Sequence, residues 1–185
     1  MDVENRPPRQ VRGLTLVELI TTLAVAGVSL ALLVPTWSGL VDRSQVTTTA
    51  NQLLTALRYA RNEAVNRNRT ISLCPSADGK RCSGDPFGWQ HGYLVFEDRD
   101  GDRKRAAGED LLRVQDPLPT GLRLHSTAGR PAVRFRSDGA AWSTNTTFSV
   151  CLGDEAQHNR AVVLLGTGRA RVDRRTPDNK PVSCS

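Results

Sequence analysis

The chain has 185 residues, of which 38% are hydrophobic and 24% are charged. This composition is too apolar for a disordered chain and too polar for a multi-span membrane protein, and the length predicts one domain with at most an appendage. Histidine is scarce, with three residues, so we do not expect a zinc enzyme built on a histidine cluster. The formal net charge is +6.

Nearly all of the positive excess lies in the last third of the chain. Residues 1–13 carry a net charge of +1, residues 14–122 are balanced, and residues 123–185 carry ten basic and five acidic side chains. Nine of these ten cations are arginine, whose planar guanidinium suits bidentate contacts with phosphate. From charge alone, a solvated basic face without a ligand is the more common explanation.

The first element is an apolar segment, residues 14–34, which is long enough to cross a bilayer core of about 20 residues. Glu18 is its only charged residue. Three arginines precede the segment and only Arg43 follows it closely, so the positive-inside rule places the N-terminus in the cytoplasm. A cleavable signal peptide has a shorter apolar core and a small-residue cleavage site. A plain signal anchor stays possible, but it leaves the carboxylate unexplained.

The sequence of residues 12–19, Arg-Gly-Leu-Thr-Leu-Val-Glu-Leu, resembles the processing site of type IV pilins and type II secretion pseudopilins. In that family a prepilin peptidase cleaves after the glycine and methylates the new N-terminus. The resemblance implies cleavage between Gly13 and Leu14, N-methylation of Leu14, and pairing of Glu18 with a terminal amine during filament assembly. The family usually has Phe at the position of Leu14, and Pro35 falls where pilins carry a helix-kinking proline.

The second element is an amphipathic helix that is expected to run from Pro35 to about Asn68. Its apolar residues recur at steps of three or four and form one stripe: Val46, Ala50, Leu53, Leu57, Ala60 and Ala64. We expect the stripe to pack on a sheet. A coiled-coil seam is the alternative, but the stripe is short for one.

From residue 70 onward, short strand patterns alternate with Gly, Pro and Asp turns. The predicted strands are Ile71–Cys74, Gly92–Glu97, Leu111–Val114, Leu122–His125, Val133–Phe135, Thr147–Cys151, Ala161–Leu165 and Ala170–Val172. The connections are short and lack a helical pattern, so the strands should be mainly antiparallel and the fold class α+β. The predicted organisation is a leader, a transmembrane and filament-core helix, a stalk helix and a β-rich globular domain: residues 1–13, 14–34, 35–69 and 70–185.

Four cysteines follow the apolar segment: Cys74, Cys82, Cys151 and Cys184. An even number in an exported domain predicts two disulfides. Three connectivities are possible, of which proximity in sequence favours Cys74–Cys82 with Cys151–Cys184. A zinc site is the alternative, but the spacings do not match zinc motifs.

The globular part resembles the FimT/GspH group of minor pilins and pseudopilins. The matching stretches, in chain order, are Leu73–Ser76, Trp89–Asp98, Gly108–Arg113, Phe135–Gly139, Phe148–Cys151 and Gly166–Arg171. The resemblance implies an inner-membrane protein with a periplasmic globular part, which later joins a filament that reaches the cell surface. Its implied partners are the prepilin peptidase, other pilin subunits and the inner membrane before assembly.

FimT-like minor pilins that bind DNA in natural transformation carry a Gly-Arg-x-Arg motif near the C-terminus. Here the motif comprises Gly168, Arg169 and Arg171, and Arg174 and Arg175 follow it closely. The resemblance implies that these residues bind DNA through backbone phosphates, which carry little sequence information. The alternative is a structural subunit of the GspH or FimU type, which acts in filament-tip assembly without binding DNA.

A calcium site is a further alternative. Asp98, Asp100 and Asp102 stand at alternate positions and Glu109 at the twelfth, which resembles an EF-hand loop. However, Arg103 replaces the glycine of the sixth position, cations crowd the loop, and its flanks are predicted strands. A charged turn is therefore the preferred interpretation. No catalytic motif surrounds the histidines, so we expect no catalytic residue, no cofactor and no metal.

Overall fold

The computed structural model describes Gly13 and residues 15–141, 145–153 and 156–184, without the side chains of residues 30–39 and Ala156. The chain divides into two compact units, Met1–Leu40 and Val41–Ser185. One long helix, α1 (Leu16–Arg67), contributes to both units and covers most of the two helical segments predicted from the sequence.

In the first unit, the large apolar side chains that the structure describes are exposed. Between about half and three quarters of the surface of each is accessible: Leu16, Val17, Leu19, Ile20, Leu23, Val25 and Val28. Among the described residues, no helix combines the length and the apolar character that crossing a membrane requires. Leu14 and the side chains of residues 30–34, which belong to the predicted transmembrane segment, lie outside the described residues.

In the part of the second unit that the structure describes, eight strands form two four-stranded antiparallel sheets. The first sheet has the order β3-β2-β1-β5, and the second has the order β4-β6-β7-β8. The strands are β1 (Ile71–Pro75), β2 (Tyr93–Glu97), β3 (Leu111–Gln115), β4 (Leu122–Ser126), β5 (Val133–Phe135), β6 (Thr146–Leu152), β7 (Arg160–Leu164) and β8 (Ala170–Asp173). The eight predicted strands and the α+β class are thus confirmed, with ends that differ by one residue at most.

The apolar stripe of α1 packs against both sheets in one core. All six residues of the predicted stripe are buried, and they belong to one apolar cluster with side chains of both sheets, among them Leu73 and Phe148. Alanine at three of the six positions allows a close approach of the helix to the strands. The prediction that the stripe packs on a sheet is therefore confirmed.

Trp89 lies in this core, in a short 3-10 turn between β1 and β2. Its indole Nε1 donates to Ser126 Oγ at 3.1 Å, and its ring meets that of Phe148 edge to face at 4.9 Å between centroids. Trp89 is therefore a core anchor.

Two disulfides join the cysteine pairs that proximity in sequence favours. Cys74 of β1 is bonded to Cys82, and Cys151 of β6 is bonded to Cys184 near the C-terminus. The second bond secures the basic tail, in which Val182 is fully buried and accepts a hydrogen bond from Asn159 Nδ2 at 2.9 Å. Disulfides therefore take up all four cysteines of the chain.

Candidate nucleic-acid interface

The Gly-Arg-x-Arg motif lies in the hairpin between β7 and β8, at the edge of the second sheet. The Gly168 N–H donates to the Leu165 carbonyl at 2.8 Å, and the Leu165 N–H donates to the Arg169 carbonyl at 2.9 Å. Gly168 has a φ of +79°, a conformation that glycine adopts without steric cost. The motif's glycine therefore closes a tight turn between β7 and β8.

A second constraint on Gly168 comes from packing against the turn at Gly139. A Cβ at position 168 would lie 1.9 Å from the Gly139 carbonyl oxygen, far inside van der Waals contact. The same oxygen accepts a hydrogen bond from Arg61 Nε of α1 at 3.0 Å. Gly168 is also buried, so its contribution is to hold the hairpin in place and not to touch a ligand.

The four arginines that the sequence singles out are exposed on this edge of the molecule. Arg169 ends the turn, Arg171 lies on β8 opposite Val163, and Arg174 and Arg175 follow the strand directly. Arg171 Nε forms an ion pair with Asp173 Oδ2 at 2.6 Å, and Arg175 Nη1 donates to a main-chain carbonyl at 3.0 Å. For Arg169 and Arg174, no ion pair with another described residue is present.

Two further arginines, which sequence reasoning missed, join Arg174 around a cavity of about 180 Å³. Arg43 of α1 and Arg160 of β7 line this cavity together with Gln157 and His158. Arg160 is only 7% exposed. Burial, and then the charges of Arg174 and Arg43, lower the pKa of its guanidinium. Arg160 Nη1 donates to the main-chain carbonyls of His158 and Asn159 at 3.0 and 2.8 Å, and the two like charges beside it favour an anion in the cavity.

At the N-terminus, Glu18 caps the first turn of α1. Its Oε2 accepts hydrogen bonds from the Thr15 N–H at 3.0 Å and from the Thr15 hydroxyl at 3.1 Å, while the Glu18 N–H donates to Thr15 Oγ1 at 3.3 Å. This is a capping box, and the Thr-x-x-Glu spacing could have revealed it. Gly13, the predicted cleavage position, is exposed, and Leu14 lies outside the described residues.

The acidic loop lies between β2 and β3, so its flanks are strands, as predicted. Oxygens of Asp98, Asp100 and Asp102 lie within 4.8 Å of one another and could hold a cation. Burial raises the pKa of Asp98. The hydrogen bonds that Asp98 accepts from Ser72 Oγ and the Arg103 N–H lower this pKa, but their effect is smaller than that of burial.

Comparison with known proteins identifies the family. The family model of the type II transport protein GspH matches residues 49–168. The pilin-like protein PilA1 of Thermus thermophilus is 34% identical over 167 residues, which cover 88% of this chain and 98% of that protein. The match to the family model ends at Gly168, so the four arginines that follow lie beyond it.

The fold is shared with solved minor pilins. The crystal structure of the type IV minor pilin FimU of Pseudomonas aeruginosa superposes with a TM-score of 0.59 and 24% identity, and covers 78% of this chain and 98% of that one. A second crystal form of FimU gives a TM-score of 0.56 over 75% of this chain. The chain therefore belongs to the GspH family of minor pilins and pseudopilins, whose members are structural subunits and not enzymes.

Proposed function

We propose that this subunit binds DNA without sequence preference through its basic edge, and that it promotes DNA uptake in natural transformation. The basic edge comprises Arg169, Arg171, Arg174 and Arg175. The observation that carries the proposal is their joint exposure on the edge strand β8 and the residues flanking it. Exposed guanidinium groups can each reach a backbone phosphate, and release of counterions then drives association.

The arginine-lined cavity extends this surface, because Arg174 belongs to both. A phosphate seated between Arg43, Arg160 and Arg174 would meet three cations at once. We therefore expect Arg174→Ala to weaken DNA binding more than Arg175→Ala, whose guanidinium is already held by the carbonyl of Asn179.

Binding assays with the unit Val41–Ser185 test the proposal. This unit contains all the described residues of the buried core, so it retains the fold that positions the arginines. Arg169→Ala and Arg171→Ala should each weaken DNA binding, and for each variant the loss of affinity should be the same for unrelated DNA sequences. Asp173→Asn should strengthen binding, because it releases Arg171 from its ion pair.

Arg113→Ala is the matched control, since Arg113 is an exposed arginine on β3, the edge strand of the other sheet. It should leave DNA affinity unchanged. An equal loss in this control and in Arg169→Ala would mean that net charge, and not the basic edge, accounts for binding.

We further propose that the chain matures and assembles as its N-terminal sequence implies. The prepilin peptidase would cleave between Gly13 and Leu14 and methylate Leu14, after insertion of the apolar segment 14–34 in the inner membrane with the globular part in the periplasm. The exposed apolar side chains of α1 would then be covered by other pilin subunits. Glu18, which a capping box already holds, would pair with a terminal amine in the filament.

A structural role at the filament tip without DNA binding is the second candidate, because the match to the GspH family model includes none of the four arginines. A deletion strain complemented with the Arg169→Ala/Arg171→Ala variant separates the two roles. DNA uptake should fall while piliation and secretion stay normal. Normal uptake in that strain would support the purely structural role.

A further inference from the structure

The loop from Asp98 to Asp110, between β2 and β3, gathers three carboxylates. Asp98, Asp100 and Asp102 have oxygen atoms within 4.8 Å of one another, although like charges at this distance repel. Asp100 and Asp102 are exposed, whereas Asp98 is completely buried. Acidic surface loops are common, so this cluster alone does not indicate a ligand.

The second observation is an unsatisfied oxygen on the buried member. Asp98 Oδ2 accepts hydrogen bonds from Ser72 Oγ at 2.5 Å and from the Arg103 N–H at 3.2 Å. Asp98 Oδ1 is buried and makes no well-formed hydrogen bond, although the nearby Gly101 N–H also stabilises this carboxylate. Buried carboxylate oxygens are nearly always satisfied, because burying one without a partner is unfavourable. A cation between the three carboxylates would satisfy this oxygen and remove the repulsion.

The cations of the same loop do not fill this role. Arg99 pairs with Glu97 and Asp110, outside the cluster. Arg105 donates to the carbonyls of Lys80 and Glu109, each at 3.0 Å. Arg134 of β5 donates to the Gly101 carbonyl inside the loop. Over the described ranges, neither Arg99 nor Arg105 forms an ion pair with Asp98, Asp100 or Asp102.

The main chain also adopts the turn that an EF-hand loop requires. In that motif the sixth residue is a glycine that makes a sharp turn. Arg103 occupies this position with a φ of +65°, and its N–H reaches the first aspartate of the loop. The arginine that argued against a calcium loop in the sequence therefore does not prevent the turn.

Glu109, at the twelfth position, closes the loop. It is 6% exposed, and its two carboxylate oxygens accept hydrogen bonds from the Arg99 N–H at 2.8 Å and the Ala106 N–H at 2.9 Å. We treat Glu109 as a positioning residue, since these contacts hold both ends of the loop around the cluster.

We propose that Asp98, Asp100 and Asp102 bind a calcium ion. The donors are all hard oxygens, and two of them lie on exposed side chains that can adjust to the six to eight ligands and long bonds that Ca²⁺ prefers. With three carboxylates and several nearby cations, we expect a dissociation constant of roughly 10⁻⁴–10⁻³ M, the range of extracellular calcium modules.

Calorimetric titration of metal-free Val41–Ser185 with CaCl₂ tests the site. We expect saturable binding, and at least tenfold weaker binding in the variant Asp100→Asn/Asp102→Asn. Both substituted side chains are exposed, so the variant should fold. The control Asp116→Asn removes an exposed carboxylate outside the cluster and should bind Ca²⁺ normally. No saturable heat up to about 10 mM CaCl₂, ten times the weakest expected dissociation constant, would overturn the proposal.

Thermal unfolding provides an independent readout. At about 10 mM CaCl₂ the Tm of the wild type should rise by roughly 3–10 °C, because the ion binds the folded state only. The Tm of the double variant should not respond. An equal rise in wild type and variant, or an equal response to MgCl₂, would contradict a calcium site at these carboxylates. Neither readout involves DNA, so the result is independent of the proposed function.

Discussion

The two residues of the Gly168–Arg169 pair have different tasks. Gly168 is buried and closes the turn, while Arg169 is exposed at its end. A motif read from sequence combines a folding requirement with a binding requirement, and only the structure separates them. For this reason, substitutions of the arginines test DNA binding, whereas a substitution of the glycine tests the hairpin.

Gly168→Ala should destabilise the domain by about 2–4 kcal/mol. The alanine would have to adopt a positive φ, and its Cβ would collide with the Gly139 carbonyl oxygen. In thermal unfolding, the Tm should fall by roughly 5–15 °C. Gly108→Ala is the control, because no atom lies within 4 Å of the added Cβ and the residue has no positive φ. Equal Tm values for the two variants would refute the packing role of Gly168.

His125 should make stability depend on pH. The side chain is half-buried against the ring of Phe87, and burial lowers its pKa below the usual 6.5. As the pH falls below 6.5, the unfolded chain takes up a proton that the folded chain does not, so stability decreases until the pH passes the lower pKa of the folded state. Above pH 6.5 this stabilisation is fully present.

Urea unfolding at pH 7.5 and pH 5 measures this effect. The difference between wild type and His125→Asn isolates the histidine from other groups that titrate. We expect the variant to lose less stability than the wild type between the two pH values. His91→Asn, at an exposed histidine, should behave like the wild type. The same loss in His125→Asn and in the wild type would contradict the assignment.

At the scale of elements, strands and helix could be predicted because their patterns are local. The stripe of α1 repeats every three or four residues, and Gly, Pro and Asp turns separate the strands of the two sheets. The Thr-x-x-Glu pattern of the capping box at Thr15 and Glu18 is equally local. It was not used as a prediction, because the resemblance to pilins assigned Glu18 to filament assembly. The cavity of Arg43, Arg160 and Arg174 had no local signal, because its residues come from α1 and from the two ends of the β7–β8 hairpin.

The two disulfides should contribute unequally to stability. Cys74–Cys82 closes a loop with a separation of 8 residues, and Cys151–Cys184 one with a separation of 33. Chain entropy gives about 2.6 and about 3.8 kcal/mol, respectively. Cys151→Ser/Cys184→Ser should therefore lower the free energy of unfolding, measured in urea, by more than Cys74→Ser/Cys82→Ser. The opposite order would show that loop entropy does not dominate.

At the scale of the molecule, charge and fold together locate the proposed function. The net charge of +6 belongs mostly to the last third of the chain, and the structure displays four of its arginines on one sheet edge. The match to the GspH family model spans residues 49–168 and ends before β8, which carries Arg171. DNA binding at the basic edge therefore rests on the exposed arginines and the Gly-Arg-x-Arg resemblance, and not on the match to the family model.

The salt dependence of DNA affinity tests this basic edge most directly. For duplex DNA, log K decreases as log salt concentration rises, and each lost phosphate contact makes this slope less negative by about 0.9. The slope of the Arg169→Ala/Arg171→Ala variant of Val41–Ser185 should therefore be less negative than that of the wild type by about two, with both proteins equally folded. An unchanged slope and affinity in that variant would contradict DNA binding at this edge.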